Sequence, residues 1–380
     1  MTSLANAAET GLAETKSVSP RIRAVRVWLF AIAGLVFAMV VVGGATRLTG
    51  SGLSITEWQP ILGIVPPMGE SAWQVAFEKY RQIPEYSLIN RGMTLEGFKA
   101  IYWWEWTHRL LGRLIGVVFL IPFAIFLLRG SIPRAFIPRV TALFVLGGAQ
   151  GALGWFMVKS GLADRVDVSQ YRLAAHLGLA VAIAGYAFWL ALSIGDSGKA
   201  KKNGKAENTP LPVKLGAGIL AGLVYVQIIA GAFVAGLKAG HASNTWPLMN
   251  GEIIPPGLDA FSPGYLNLFE NPLTAQFAHR ALAYAIAIFA TAFAVFIWNS
   301  KRGQALRLPM LTITAAVLIQ IALGVATIVY GVPLVIALAH QANAILVFAL
   351  SLWALHRAIS PGSLNSQWNS ASGARPRMAD

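Results

Sequence analysis

Eight apolar stretches, each as long as a membrane-spanning helix, alternate with polar segments along the chain. A helix needs about 20 predominantly apolar residues to cross a bilayer. Segments of this kind lie at 27–46, 109–128, 139–158, 173–194, 214–237, 278–299, 308–330 and 334–355. The last two form one uncharged run, which we divide at Gly331-Val332-Pro333 because Gly and Pro mark turns. The pattern predicts an all-α integral membrane protein with eight transmembrane helices.

The chain also divides into two similar halves. His108-Arg109 stands near the start of the second span and His279-Arg280 near the start of the sixth. His176 and His340 follow near the starts of the fourth and eighth spans, after 68 residues (176 − 108) and 61 residues (340 − 279). Each histidine is therefore expected within the first turn or two of its helix. Two such halves predict two four-helix bundles related by a pseudo-twofold axis along the membrane normal.

The repeat and the composition of the connections give the predicted organisation. A cytoplasmic N-terminal segment (1–26) precedes the first bundle (27–194), which contains a long loop at 47–107 with one or two expected surface helices. A Lys-rich linker (195–213) leads to the second bundle (214–357), and a tail (358–380) follows.

Charge decides the orientation. The chain is 56% hydrophobic and 12% charged with a net charge of +14, whereas soluble domains have about 25% charged residues. The basic residues lie mainly beside the spans, before the first and after the second, fourth and sixth, which is typical of topology control rather than nucleic-acid binding. Both termini are therefore predicted to be cytoplasmic, with the histidines toward the opposite face. Glu9 and Glu14 are untypical of a mitochondrial transit peptide, so a bacterial inner membrane with a periplasmic histidine side is expected.

The four paired histidines are candidate metal ligands. The chain has no cysteine, which excludes thiolate ligands and disulfides. Ionisable groups inside spans are costly and usually face a bundle interior, where two histidines on facing helices can hold one haem iron. We predict one haem between His108 and His176 and another between His279 and His340. A zinc site fits less well because each pair offers only two ligands. For any single histidine, the alternative is a hydrogen bond at the membrane interface.

Charged neighbours of the histidines distinguish the two halves. Arg109 and Arg280 could bind haem propionates or extend to lipid headgroups. Glu105 lies three residues before His108, on the same face if the helix begins that early, whereas the aligned residue is Gln276. An acid at only one of the two sites indicates that the first half carries out chemistry and that the second transfers electrons. Glu105 would then shuttle protons; the alternative is an interfacial glutamate in water.

The two remaining histidines do not follow this pattern. His241 breaks the repeat, since its counterpart is Leu53, and we interpret it as a loop residue. His356 is predicted to be an interface residue at the cytoplasmic end of the last span.

Four segments (43–54, 105–109, 244–251 and 278–280) resemble haem A synthase, in the form found in alphaproteobacteria and mitochondria. The resemblance covers residues 25–357. It implies oxidation of the C8 methyl group of haem O to a formyl group by successive hydroxylations, which gives haem A for cytochrome oxidase. His108 and His176 would then flank the substrate haem, His279 and His340 would ligate haem b, and Glu105 would be the functionally important glutamate. Some relatives carry a cysteine pair where this chain has Ile55, so a disulfide role does not carry over.

The resemblance also implies partners and leaves two rival functions. Haem O synthase, cytochrome oxidase assembly factors and a second copy of the chain are candidate partners beside the lipid bilayer, and an electron donor is required. A lipid-side gap in the first bundle is expected to admit the tail of haem O. One rival is a diheme b-type cytochrome that exchanges electrons with quinone, in which Glu105 has no role. The other is a transporter, for which Gln150, Gln227 and Gln320 are the main polar residues at mid-depth.

Overall fold

Helices make up almost all regular structure in the computed structural model, which describes residues 20–59, 62–164, 166–195, 209–300 and 303–359. The α-helices in these ranges are α1 (Pro20–Leu48), α2 (Glu70–Tyr80), α3 (Pro84–Leu88), α4 (Leu95–Leu128), α5 (Ile137–Asp164), α6 (Gln170–Gly195), α7 (Leu211–Gly236), α8 (Asn267–Glu270), α9 (Pro272–Asn299), α10 (Arg307–Val329) and α11 (Leu334–Ile359). All except α2, α3 and α8 belong to the eight segments that are long and apolar enough to cross a membrane. The predicted all-α, eight-span fold is confirmed.

Helices α1, α4 and α9 begin well before their predicted spans, and at α4 and α9 a polar cap rather than hydropathy fixes the start. Helix α4 begins at Leu95, where the Thr94 side chain accepts a hydrogen bond from the backbone N–H of Gly97. In α9 the side chain of Asn271 caps the first turn, as Asn commonly does. His108 therefore lies 13 residues (108 − 95) into its helix, so the expectation of a position in the first two turns is wrong for this histidine.

The long helices pack as two sets, consistent with the predicted pair of bundles. In the N-terminal unit (α1, α4, α5 and α6), α1 packs against α4 and α6, and α5 packs against α6. In the C-terminal unit (α7, α9, α10 and α11), α7 packs against α9 and α11, and α10 also packs against α9 and α11. The two units are joined by contacts of α6 with α7 and of α11 with α1 and α6. Each unit has its own cluster of buried apolar side chains.

The long segments 49–94 and 237–271 follow α1 and α7, and we call the side on which they lie the long-loop face. The predicted surface helices are present as α2 and α3. Trp73, Phe77 and Tyr80 recur at helical spacing on α2 and are buried against Phe98 and Tyr102 of α4. The rings of Phe77 and Phe98 lie 5.1 Å apart. This aromatic cluster packs the loop on the first turns of α4, which explains why that helix extends beyond the apolar span.

Three of the predicted segments fall largely outside the described residues. They are most of the N-terminal segment (1–19), most of the linker (196–208) and most of the tail (360–380). The prediction for His356 is wrong: this residue is 2% exposed and lies between α6 and α11. Its ring centre is 5.0 Å from that of Trp189, and its Nε2 is 3.3 Å from the hydroxyl of Ser193.

Candidate functional site

Each of the four paired histidines packs against a glycine of the long helix before its own. A Cβ added at any of these glycines would stand close enough to an imidazole atom to force a shift. The distance from such a Cβ to the ring would be 3.0 Å for Gly43 and His108, 2.9 Å for Gly154 and His176, 3.1 Å for Gly231 and His279, and 2.9 Å for Gly324 and His340. All four histidines are half-buried. Glycine at these positions therefore lets each ring lie directly against the neighbouring helix.

A glutamine one turn before the glycine holds three of these histidines. The Nε2 of Gln150 donates to the backbone carbonyl of His176 at 3.0 Å and lies 3.1 Å from Nδ1 and 3.3 Å from Nε2 of the ring. Gln227 contacts His279 in the same way, with the same three distances. A donor that lay in the ring plane, on the lone pair of one nitrogen, would be much farther from the other ring nitrogen. The amide therefore lies over the face of the ring, and both nitrogens keep their in-plane positions for other partners.

His340 has the same contact and a further one that fixes its tautomer. Gln320 Nε2 is 3.0 Å from the His340 carbonyl and 3.1 Å from its Nδ1. This Nδ1 also lies 3.1 Å from the backbone carbonyl of Gln320, and only a protonated nitrogen can donate to a carbonyl. The proton is therefore on Nδ1, and Nε2 keeps the lone pair that a metal would need. Asn343 fixes the Gln320 side chain by donating to its Oε1 at 2.8 Å.

In the sequence these glutamines stand out only as polar residues within apolar spans, and their contacts with the histidines are not evident there. The signal was a Gln-x-x-x-Gly spacing that occurs at 150–154, 227–231 and 320–324. A spacing of four places both residues on one helix face. Which residue that face contacts becomes evident only once the helices are packed.

The second histidine pair has a separation that fits one iron atom between two imidazoles. The ring centres of His279 and His340 are 6.5 Å apart, with 69° between the ring planes. An imidazole nitrogen binds a metal at about 2 Å, so two rings on opposite sides of one iron have centres about 6 Å apart. Among the described residues no group of three or more His, Cys, Asp and Glu could hold a metal.

Two orphaned acceptors are also consistent with histidine ligation. The Oε1 atoms of Gln150 and Gln227 are buried and accept no hydrogen bond within the described parts of the chain. A histidine that ligates iron through Nε2 carries its proton on Nδ1 and almost always donates it to a nearby acceptor. These amide oxygens belong to the groups that already contact His176 and His279, so the residues present fit a ligated state.

Glu105 lies at the long-loop face and is bound by four donors. It is 2% exposed, so it is not the interfacial glutamate in water of the alternative interpretation. Its Oε2 accepts from the Ser54 hydroxyl and the Ile55 backbone N–H, both at 2.7 Å. Its Oε1 accepts from Nη2 and Nε of Arg109 at 2.7 and 3.0 Å. Since α4 begins at Leu95, Glu105 and His108 do belong to one helix.

The two arginines bind the long loops. Arg109 donates to the backbone carbonyls of Ile55 and Glu57 at 2.8 and 2.9 Å. Arg280 donates to the carbonyls at the two equivalent positions, Ser243 and Thr245, both at 3.0 Å. Each guanidinium thus connects a loop to the helix turn that carries the neighbouring histidine. The Nε of Arg280 is buried and makes no hydrogen bond to any described residue.

The second site lacks the acid and leaves one acceptor without a partner. Gln276 replaces Glu105 and donates from Nε2 to the Ser243 carbonyl at 3.0 Å. Its Oε1 is buried without a hydrogen bond in the described structure. His241 is exposed in a short 3₁₀ turn, as its interpretation as a loop residue predicts. The two sites therefore share their histidines, glycines and arginines and differ in the carboxylate.

Comparison with known proteins identifies close relatives over most of the chain. Residues 26–352 match the COX15-CtaA family, described as cytochrome oxidase assembly protein. A protein of Parvibaculum lavamentivorans named Heme A synthase is 49% identical over 330 residues, covering 87% of this chain and 93% of the relative. Proteins with the same name from Nitrosospira multiformis and Maricaulis maris are 48% and 47% identical, over 87% and 90% of this chain and 92% and 98% of the relatives.

Proposed function

The chain belongs to the COX15-CtaA family of cytochrome oxidase assembly proteins, and on this premise we propose that it is a haem A synthase. The reaction oxidises the C8 methyl group of haem O to a formyl group. With dioxygen as the oxidant, each of two hydroxylations inserts one oxygen atom into a C–H bond. The other oxygen atom leaves as water, with two protons and with two electrons from an external reductant. The resulting geminal diol loses water to give the aldehyde. The relatives' shared name and their coverage of this chain carry the assignment.

We assign the N-terminal unit to the substrate and the C-terminal unit to a resident haem b. His108 and His176 would flank haem O, and His279 and His340 would ligate haem b. The support is a difference in polar chemistry between the two similar sites, where Glu105 stands against Gln276. A carboxylate can exchange protons with a reaction and an amide cannot.

The work of the protein at the substrate site is orientation and proton handling. Haem iron supplies the oxidising chemistry. Glu105 and Arg109 hold residues 54–57 of the long loop against α4, one turn from His108. A loop held in this place would limit the access of water to a haem bound at His108, and oxidation of a methyl group benefits from a dry site. Glu105 is also the ionisable group best placed to accept or return a proton.

The packing of the N-terminal unit supports entry of a tailed haem from the lipid. Helices α4 and α5 pack less closely than their counterparts α9 and α10. They meet through Phe119 and Phe144, whose rings are 5.8 Å apart, whereas Trp155 and Phe156 farther along α5 are 36% and 48% exposed. The looser packing of these two apolar helices makes the space between them the proposed entry route for the long hydrophobic tail of haem O.

The remaining assignments follow the charge pattern and the family. We place the protein in a bacterial inner membrane with cytoplasmic termini and both haem sites toward the periplasm, as the basic segments predict. Haem O synthase and cytochrome oxidase assembly factors are the proposed partners, and a separate reductant supplies electrons. The rival diheme b-type cytochrome is disfavoured, because it gives no reason for a fully bonded buried carboxylate at one site alone.

The deciding experiment is extraction of the non-covalent haems from protein purified from cells that make haem O. We expect haem b together with haem O, its hydroxylated form or haem A, identified by chromatography and mass. His279→Ala should remove haem b selectively, and His108→Ala should remove the farnesylated haem. Haem b alone at two per chain would favour the electron-transfer cytochrome, and absence of haem would refute both sites.

A further inference from the structure

The four histidines are held by one repeated device, and one copy of the device is incomplete. In three copies a glutamine, a glycine four residues later and a histidine on the next long helix form the unit. These copies are Gln150-Gly154-His176, Gln227-Gly231-His279 and Gln320-Gly324-His340. In the fourth copy Gly43 contacts His108, but the residue four positions before it is Met39.

Met39 cannot replace the glutamine. A thioether has no proton to donate, so it cannot bind the His108 carbonyl or lie over its ring as an amide does. The Met39 methyl group instead lies beside Gly112 of α4, where an added Cβ would be 3.2 Å from it. Gly112 is one turn beyond His108. None of the described residues hydrogen-bonds to the imidazole of His108, whereas the other three rings each have an amide contact.

The His108 ring is also oriented differently from the other three rings. The atom nearest the position of a Cβ on Gly43 is Nε2, at 3.0 Å, followed by Cδ2 at 3.5 Å. At the other three glycines the nearest atom is Cε1, with Nδ1 second. A half-turn of the ring about its Cβ–Cγ bond exchanges these two pairs of atoms. The ring without an amide partner therefore places Nε2, rather than Cε1, against α1.

These contacts carry an energetic consequence. For His176, His279 or His340 to swing away from an iron atom, the ring must leave the amide that lies over it. For His108 no such contact is lost, and the Met39 side chain on the facing helix is flexible. In the C-terminal unit both histidines are held, while in the N-terminal unit only one is.

We propose that His108 is the exchangeable axial ligand of the substrate haem and that Met39 is the positioning residue that makes it so. This inference rests on the proposed function. When His108 leaves, its nitrogen keeps the lone pair, so ligand exchange transfers no electron or proton. The other three histidines, held by Gln150, Gln227 and Gln320, stay on their iron atoms. One site thereby gains an open coordination position, and the other remains closed for electron transfer.

The test uses purified holoprotein carrying haem A in the first site and haem b in the second. The formyl group separates the two absorption bands, so binding of CO after reduction can be followed at each site. We expect CO to bind the first-site haem and not haem b. Met39→Gln should slow CO binding at the first site by about tenfold, because a net hydrogen bond must now be broken. The electron paramagnetic resonance spectrum of the ferric Met39→Gln protein should show a larger low-spin fraction than that of the wild type.

The reciprocal variant and a control complete the design. Gln227→Met should make haem b reactive toward CO, which keeps the proposal testable if Met39→Gln does not fold. Leu35→Gln places the same amide one turn earlier on α1 and should leave the CO rate unchanged. If both haems are present and neither Met39→Gln nor Gln227→Met alters CO binding, the proposal is refuted while the proposed function stands. Loss of either haem from the wild-type protein would instead refute the assigned sites.

Discussion

At the scale of single residues, the carboxylate of Glu105 is set apart by the number and kind of its partners. Two donors come from the long loop and two from Arg109, and the shortest contacts are 2.7 Å. A buried ion pair of this kind stabilises little relative to an apolar pair, but losing one member leaves an uncompensated charge that costs about 3–5 kcal/mol. Glu105 is thus both the candidate proton-transfer group and the residue that joins the loop to α4.

Replacing Glu105 by Gln should separate these two roles. The amide keeps the shape but cannot exchange a proton, so we expect haem content to survive and conversion of haem O to fall by about 100-fold. Product is measured by chromatography of extracted haems. Glu96→Gln, at an exposed glutamate paired with Lys99 on the same helix, is the control and should keep full activity. Full activity in the Glu105 variant would remove the carboxylate from the mechanism.

Glu85, outside the spans, gives a pH-dependent prediction. Burial raises the pKa of Glu85 to about 8, and the nearby charges of Asp167 and Glu105 add to this effect. Its Oε2 is buried without a partner among the described residues. Between its ordinary pKa and about 8 the folded protein binds more protons than the unfolded chain, so stability falls as the pH rises through this range.

Thermal unfolding in detergent tests the prediction for Glu85. The melting temperature of the wild type should fall by a few degrees between about pH 6 and about pH 9 relative to Glu85→Gln, which removes the ionisation. Glu78→Gln, at an exposed ion pair, should track the wild type. Parallel pH curves for wild type and Glu85→Gln would contradict the assignment.

At the scale of helices, contacts between a glycine on one helix and a histidine on the next place the candidate ligands. A Cβ at Gly154 would lie 2.9 Å from Cε1 of His176, so the ring would have to shift. Gly147 stands on the same helix with no heavy atom within 4 Å of its Cβ position. The two glycines therefore separate the effect of ring contact from the general effect of glycine in a helix.

Gly154→Ala should release the first-site haem, while Gly147→Ala should not. Alanine favours a helix over glycine by about 0.5–1 kcal/mol, so the control variant should be as stable as the wild type or more so. Haem content per chain, determined after extraction, is the measurement. Equal retention of the first-site haem in both variants would show that the close contact does not position His176.

Sequence patterns predicted the spans and the histidine pairs because length, hydropathy and residue spacing along one chain determine them. The helix starts at Leu95 and Pro272 were missed, since they depend on the caps Thr94 and Asn271 beyond the apolar runs. The contacts of Gln150 and its counterparts were missed because they join different helices. The burial of His356 likewise depends on packing between α6 and α11.

At the scale of the whole molecule, the two units are joined next to the candidate ligands. Gln341, adjacent to His340, donates from Nε2 to the Val40 carbonyl of α1 at 2.7 Å. A Cβ on Gly44 would lie 2.1 Å from Gln341 Oε1, so α11 approaches α1 closely here. Gly44 follows Gly43, which contacts His108. The connection between the units therefore runs next to the candidate ligand His340 in one site and next to Gly43, the contact of the candidate ligand His108, in the other.

Gln341→Leu should weaken the connection between the units without removing either haem. The Val40 carbonyl keeps its hydrogen bond within α1, so the loss is about 1 kcal/mol and the melting temperature should fall by a few degrees. Gln74→Leu, at an exposed glutamine of α2, is the control. Loss of haem from the Gln341 variant at unchanged melting temperature would instead assign this residue to a site.

The order in which the four glycine–histidine contacts can form follows from their positions along the chain. Gly154 and His176 belong to successive helices, α5 and α6, joined by a short turn, and so do Gly324 and His340 on α10 and α11. These hairpins can form as soon as they are inserted. The contacts of His108 and His279 instead join helices separated by the segments 49–94 and 237–271, which must be translocated first in the proposed orientation. In the proposed orientation each pair thus contains one histidine whose glycine contact depends on export of a long loop, so a haem held by both histidines would be captured only after translocation is complete.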